Sequence, residues 1–309
     1  MRPLGNNMSV RISRSLYFLL ISSIAVMTQL PIPCKADDIQ LLVPAYFYPT
    51  SGNGWAELAS AAAEVPLTAI FNPNSGPLPG PPDLNYVNAM TNLENAGGSV
   101  VAYIYTSNGS TPVATVEGEI GTYLAQYGSL IDGFYLDGML INATTLGYYQ
   151  ALDSYILSLP ASYQVIGNPG QPSLNGLLPT DYLSIANIFN IFEGSGTNFS
   201  TYPNGQNWYQ SYPSSRFSNT IFDVPGSSSM LNDLNTAVAL GAGYVYITDQ
   251  TLPNPYGALP SYWDQEVSAV AALNAPASVP EPSAVFLLGT VLAGIVFQMR
   301  REGWARTRR

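Results

Sequence analysis

The chain has 309 residues, of which 47% are hydrophobic and 10% charged, with a formal net charge of −10. A chain this long and this apolar buries a sizeable core, which excludes a disordered protein. It has no histidine and a single cysteine, Cys34, so the usual zinc ligand sets and a disulfide framework are excluded as well, and no metal or cofactor is called for.

The first 36 residues read as an export leader. Arg2, Arg11 and Arg14 flank the start of an apolar run, LYFLLISSIAVM, and CKA stands just before Asp37. That is the order of a secretory signal peptide with small residues at the cut, and it predicts a mature chain beginning near Asp37. Between residues 37 and 275 Arg216 is the only basic side chain, against eighteen acidic ones, a formal charge of −17. Nucleic acid is a poor partner for such a body, because phosphate binding needs clustered Lys and Arg. A cationic polymer is attracted to it, although the same acidity also serves the solubility of an exported protein.

Eight short runs of β-branched and aromatic residues follow. In chain order they are IQLLVPAYFYP from Ile39, LTAIFNP from Leu67, SVVAYIYT from Ser99, IDGFYLD from Ile131, YQVIGNPG from Tyr163, IANIFNIFE from Ile185, SNTIFDVPG from Ser218 and GYVYITDQ from Gly243. Each has the length and composition of a strand. Amphipathic stretches such as NYVNAMTNLENAG, VATVEGEIGTYLAQYG, TLGYYQALDSYILSL and SSMLNDLNTAVALGA lie between them. The alternation predicts an α/β protein, a single (β/α)8 TIM-type barrel over residues 37–275, with a doubly wound open sheet as the alternative. After the sixth run, NFSTYPNGQNWYQSYPSS is rich in turn formers and is expected to be mostly loop.

The carboxyl ends of these runs carry polar residues: Tyr46 and Tyr48, Asn72 and Asn74, Tyr105, Asp137, Asn168, Glu193, Asp223 and Asp249. The amino-terminal ends carry no such set, and a barrel of this type builds its active site at the carboxyl face. Asp137 and Glu193 are the candidate catalytic pair, since two carboxyl groups at one face can divide between a protonated acid and an ionised base or nucleophile. Hydrogen bonding within a ligand pocket is the other role open to them. Tyr46, Tyr48, Asn72, Asn74, Tyr105, Asn168 and Asp249 are the candidate substrate contacts, although Asn72 and Asn74 also suit turn chemistry and Asp249 suits a structural role. Period-two alternation turns Gly133 and Tyr135 inward with Asp137, and Phe134 and Leu136 outward; the same rule turns Phe189 and Ile191 inward with Glu193.

The C-terminal segment, 276–309, contains Val279-Pro280-Glu281-Pro282, an apolar run over 284–299 and five arginines in the last ten residues. A helix over the run is short for a membrane span but suffices with snorkelling, its arginines staying cytoplasmic. The three parts in this order resemble the PEP-CTERM sorting signal, which implies signal peptidase and exosortase as processing partners. It also implies transient anchoring by the helix and delivery to the cell surface or matrix. The barrel segment is similar to the spherulin-4 family in LVPAYFYPTSGNGWAEL, IFNPNSGP, DGFYLDG, VIGNPG, NIFNIFEG and YVYITDQTLPNPYGALPSYW. That resemblance implies a glycoside-hydrolase-like barrel acting on exopolysaccharide, by endo-cleavage of an α-1,4-linked galactosamine or N-acetylgalactosamine polymer, or a silent barrel that binds matrix glycan. It also implies Asp137 and Phe192-Glu193 as matched positions. Gly138 stands where the family has a glutamate beside its aspartate.

Overall fold

The computed structural model describes residues 38–50, 52–171, 179–202 and 208–276. The expected leader and the apolar run over 284–299 lie outside the described residues. No described helix is long and apolar enough to cross a membrane.

Eight parallel strands close into a barrel: β1 (Gln40–Ala45), β2 (Leu67–Phe71), β3 (Ser99–Tyr105), β4 (Gly133–Asp137), β5 (Gln164–Gly167), β6 (Ile188–Ser195), β7 (Phe217–Phe222) and β8 (Tyr244–Ile247). The closing pair is β1 with β8, Gln40 opposite Tyr244 and Leu41 opposite Val245. An open sheet would leave two edges of unpaired backbone, and this closure removes them. A helix follows each strand: α1 (Gly54–Ala62), α2 (Leu84–Asn95), α3 (Val113–Tyr127), α4 (Leu146–Leu157), α5 (Pro179–Leu183), α6 (Gly196–Phe199), α7 (Gly226–Leu240) and α8 (Trp263–Asn274). The stretch after β6 is the short α6 followed by two 3-10 turns, Trp208–Ser211 and Ser214–Arg216. Among its described residues, Pro213 stands at the entry to the second of these turns.

Alternation on the strands separates two apolar layers. Leu42, Ile70, Val101, Tyr103, Tyr135, Ile166, Ile188 and Tyr244 fill the barrel interior. The other faces pack on the helices, where Phe134 and Leu136 are fully buried. Each such side chain contributes ~1.5–3 kcal/mol by leaving water. On β4, Gly133 is required by proximity: a Cβ there would stand 2.2 Å from the Gln164 carbonyl oxygen of β5.

Strand β6 departs from simple alternation. Asn190 pairs with Ser218, but Phe192 pairs with Asn219, so Ile191 is an extra residue in the ladder. Such a bulge shifts the side-chain phase by one. Ile188 therefore points into the barrel, while Phe189 and Ile191 pack in the outer layer, contrary to the expectation that they face inward with Glu193. Beyond the bulge the phase is restored to the inner face, and Glu193 lies opposite Thr220 as Asn190 lies opposite Ser218. One inserted residue thus lets the strand present both Asn190 and Glu193 to the interior.

Candidate active site

Asp137 is the last residue of β4, Asn168 follows β5 directly, and Glu193 sits past the bulge on β6. The three carboxyl-end positions converge. Asn168 Nδ2 donates to Asp137 Oδ1 at 2.7 Å and to Glu193 Oε2 at 2.6 Å. Because both bonds leave one nitrogen, the two acceptor oxygens are less than about 5.3 Å apart. The remaining carboxylate oxygens have donors of their own. Tyr103 OH donates to Asp137 Oδ2 at 2.5 Å, and Tyr256 OH, from the loop after β8, donates to Glu193 Oε1 at 2.7 Å.

The turn that carries Asp137 is held from its neighbours. Thr106 N and Oγ1 both donate to the Asp137 carbonyl, at 2.9 and 2.8 Å, and Asn108 N donates to the Gly138 carbonyl at 2.8 Å. Ser107 and Asn108 sit at φ 49° and 57°, a conformation non-glycine residues adopt at a cost and which concentrates at functional sites. Gly138 has φ +61°, and a Cβ there would stand 2.8 Å from the Tyr105 ring. Tyr105 therefore covers the position beside Asp137, while remaining 45% exposed at the rim.

Burial is the main influence on the Glu193 carboxyl and pushes it above the usual carboxylate range. The Tyr256 and Asn168 donors oppose this, and the Asp137 charge adds to it. The hydroxyls of Tyr46, Tyr103, Tyr135 and Tyr256 are all pushed up, first by desolvation and then by the acidic pair. They stay protonated and so remain donors wherever the pair needs them.

Beneath the pair the interior is polar. Asn190, fully buried, donates through Nδ2 to Asn168 Oδ1 at 3.0 Å, while its Oδ1 accepts from Ser218 Oγ at 3.0 Å and Thr220 Oγ1 at 3.4 Å. Above the pair, the Tyr46 ring meets Tyr103 and Tyr256 edge-on, with centroids 5.6 and 5.4 Å apart.

The other sequence-derived candidates are distributed differently. Tyr48 is turned outward: its hydroxyl donates to Asp83 and accepts from Asn85 at the start of α2, and its ring packs on Tyr86. Asn72 follows β2 with its side-chain oxygen buried and no partner among the described residues, and Asn74 is exposed in the same loop. Asp249 accepts from the Ser261 backbone N–H and hydroxyl, pinning the two ends of the loop that carries Tyr256. No group of three acidic or thiol side chains suited to a metal occurs among the described residues.

Three residues of the site were not singled out from the sequence. Tyr103 lies two positions before Tyr105 on one face of SVVAYIYT, and that spacing was a usable signal. Asn190 is a polar residue inside an apolar strand, which needs a buried partner. Tyr256 lies within YVYITDQTLPNPYGALPSYW, a stretch that carries the family resemblance, but its contact depends on the path of the loop between β8 and α8 and has no periodicity to mark it.

A closed (β/α)8 barrel with two carboxyl groups bridged at the carboxyl ends of its strands has its candidate site where barrels of this type build theirs. The family comparison is specific: the Spherulation-specific family 4 profile matches residues 40–270, and the chain belongs to that family. Spherulin-4 of Physarum polycephalum is 36% identical over 270 residues, covering 84% of this chain and 78% of its own. The PEP-CTERM protein-sorting motif matches residues 278–301. Among solved structures, Aspergillus clavatus Sph3 in complex with GalNAc aligns with a TM-score of 0.65 at 24% identity, over 76% of this chain and 98% of that one. An endo-β-N-acetylglucosaminidase from Cordyceps militaris aligns with a TM-score of 0.51 at 13% identity, over 86% and 97%. At these identities the two structures speak to the fold.

Proposed function

We propose that the protein is an exported endo-glycosidase that cleaves an α-1,4-linked galactosamine or N-acetylgalactosamine polymer at the carboxyl face of its barrel. The observation that carries the reading is the Asn168 bridge between Asp137 and Glu193. Glu193, its proton affinity raised by burial, is the general acid and gives its proton to the leaving glycosidic oxygen as the bond to the anomeric carbon breaks. Retaining pairs stand ~5–5.5 Å apart and inverting pairs ~6.5–9.5 Å, so the spacing here suits retention. Asp137 then attacks the anomeric carbon, or orients an acetamido oxygen that does so. Water completes the cycle, with Glu193 recovering its proton. Tyr46 and the exposed Tyr105 offer ring faces to sugar, and the acidity of the body favours a partly deacetylated, cationic polymer.

The GalNAc bound in the Sph3 structure and the PEP-CTERM motif support the substrate class and the export route. In that route signal peptidase removes residues 1–36, the apolar run over 284–299 anchors the chain transiently, and exosortase releases it to the surface or matrix.

The test is incubation with partly deacetylated galactosaminoglycan, scoring new reducing ends, beside Asp137→Asn. Cleavage by the parent alone supports the reading. Binding without cleavage favours a silent glycan-binding barrel, the reading to which the left-handed Gly138 lends weight, because no carboxylate follows Asp137.

A further inference from the structure

We infer that Asn190 is a positioning residue for the carboxyl pair, acting through Asn168 rather than on substrate. Its hydrogen bonds go to Asn168, Tyr135, Ser218 and Thr220 rather than to Asp137 or Glu193, and it is fully buried on the interior face below them. Its side chain is the middle of a relay. Ser218 and Thr220 hydroxyls donate to Asn190 Oδ1, Asn190 Nδ2 donates to Asn168 Oδ1, and Asn168 Nδ2 donates to both carboxylates. The proposal rests on the glycosidase reading for its purpose, but not for its test.

The direction of the relay is fixed from above. An amide has one accepting and one donating end. With two carboxylates drawing on its nitrogen, Asn168 can offer only its oxygen below, so Asn190 must answer with nitrogen. In this sense Asn190 Oδ1 also stands 3.0 Å from the Ser218 and Phe192 carbonyl oxygens, which the opposite sense would turn into acceptors; but the opposite sense would bring the Asn190 and Asn168 amide oxygens to 3.0 Å and lose the bond between the two side chains. Removing the Asn190 donor leaves the Asn168 oxygen buried without that partner, so that the carboxylates alone hold the amide against turning to find another donor. Its amide is then less firmly held, and every departure from its present sense withdraws a hydrogen bond from the pair or points an oxygen at it. The bulge at Ile191 serves this arrangement, since without the extra residue Asn190 and Glu193, three apart, would face opposite sides of the strand.

The groups facing Glu193 are Asp137, Tyr46, Tyr103, Tyr135 and Tyr256, in addition to the Asn168 amide. Donors to the ionised form keep a carboxyl group acidic, so slackening Asn168 should let Glu193 rise. The experiment is a carboxyl-carbon NMR titration of Glu193 in the full-length protein without substrate, so its outcome does not depend on hydrolysis. Asn190→Leu should move the Glu193 midpoint up by roughly one unit, the scale of one lost hydrogen bond to a charge. In an Asn168→Ala background the same substitution should move it no further, because neighbours that act through one another are not additive. An unmoved midpoint in the parent background, or an equal shift in both backgrounds, overturns the proposal. If Asn190→Leu does not melt cooperatively, Asn190→Ser removes the long-reaching donor without apolar bulk, and the same pair of outcomes decides. Absent cleavage with the expected titration leaves the relay intact and sinks only the enzyme reading.

Discussion

Tyr256 donates to Glu193 Oε1 at 2.7 Å from a loop that joins β8 to α8, so the acid on β6 is held by a residue 63 positions further along the chain. The loop is pinned at its ends by Asp249 and Ser261, and Tyr262 OH donates to the Val224 carbonyl below it. Closing a barrel brings β8 and its loop back over β6 and β1, and no local pattern in the sequence encodes that contact.

Removing this donor should raise Glu193. The Tyr256 bond favours the ionised carboxyl, so Tyr256→Phe should shift the alkaline limb of cleavage to higher pH, because a general acid stays protonated longer. The melting temperature should change little, since the ring still packs on Tyr46. An alkaline limb that stays in place would assign the acid to another group.

Asp137→Asn and Glu193→Gln should each cost on the order of 10²–10⁴-fold in rate. Both sit at the carboxyl ends of strands, where conservation of the fold does not depend on them, so both variants should melt like the parent. The newly released end should keep the anomeric configuration of the polymer, read by proton NMR at early times. Inversion would contradict the spacing held by Asn168.

Much of this was legible in the sequence. The eight strands announced themselves as β-branched and aromatic runs, and the polar residues at one end only identified the face that carries Asp137, Asn168 and Glu193. The interior of β6 was not legible: alternation counted back from Glu193 puts Phe189 and Ile191 inward, and only pairing with β7 reveals the extra residue at Ile191. Tyr48 shows a related limit. Its place after β1 matches that of Tyr46, but its hydroxyl is drawn away to Asp83 and Asn85, partners that become neighbours only when α2 packs.

Glu266 predicts how stability responds to pH. It lies on α8 with no exposure, accepts from Ile247 N at 2.8 Å through Oε1, and has no partner at Oε2 among the described residues. Burial pushes its carboxyl up to about 8. A raised carboxyl group favours folding while protonated, so its contribution is fully present below ~4.3, the ordinary glutamate value, and is lost as pH rises toward 8. Glu266→Gln keeps the acceptor for Ile247 and cannot ionise. Its denaturant midpoint should therefore fall less than the parent's between pH 4.5 and 8. Parallel curves for the two proteins would show that Glu266 titrates alike in the folded and unfolded chain, so that its carboxyl is not raised by burial.

Gly138 offers the last test, because the family resemblance invites restoring its glutamate. The backbone there is at φ +61° and a Cβ would meet the Tyr105 ring at 2.8 Å. The two obstacles differ in kind. The Tyr105 side chain is partly exposed and can move aside, but the left-handed conformation is fixed by bonds from Thr106 and Asn108 to the Asp137 and Gly138 carbonyls. A side chain in that conformation costs ~1–2 kcal/mol. Gly138→Glu should therefore lower the melting temperature, and Gly138→Ala, which adds no charge, should lower it by a similar amount. Adding Tyr105→Ala should recover little of the loss if backbone strain dominates. Full recovery in that double variant would make the ring the obstacle instead, and would open the way to testing whether a second acid beside Asp137 raises activity.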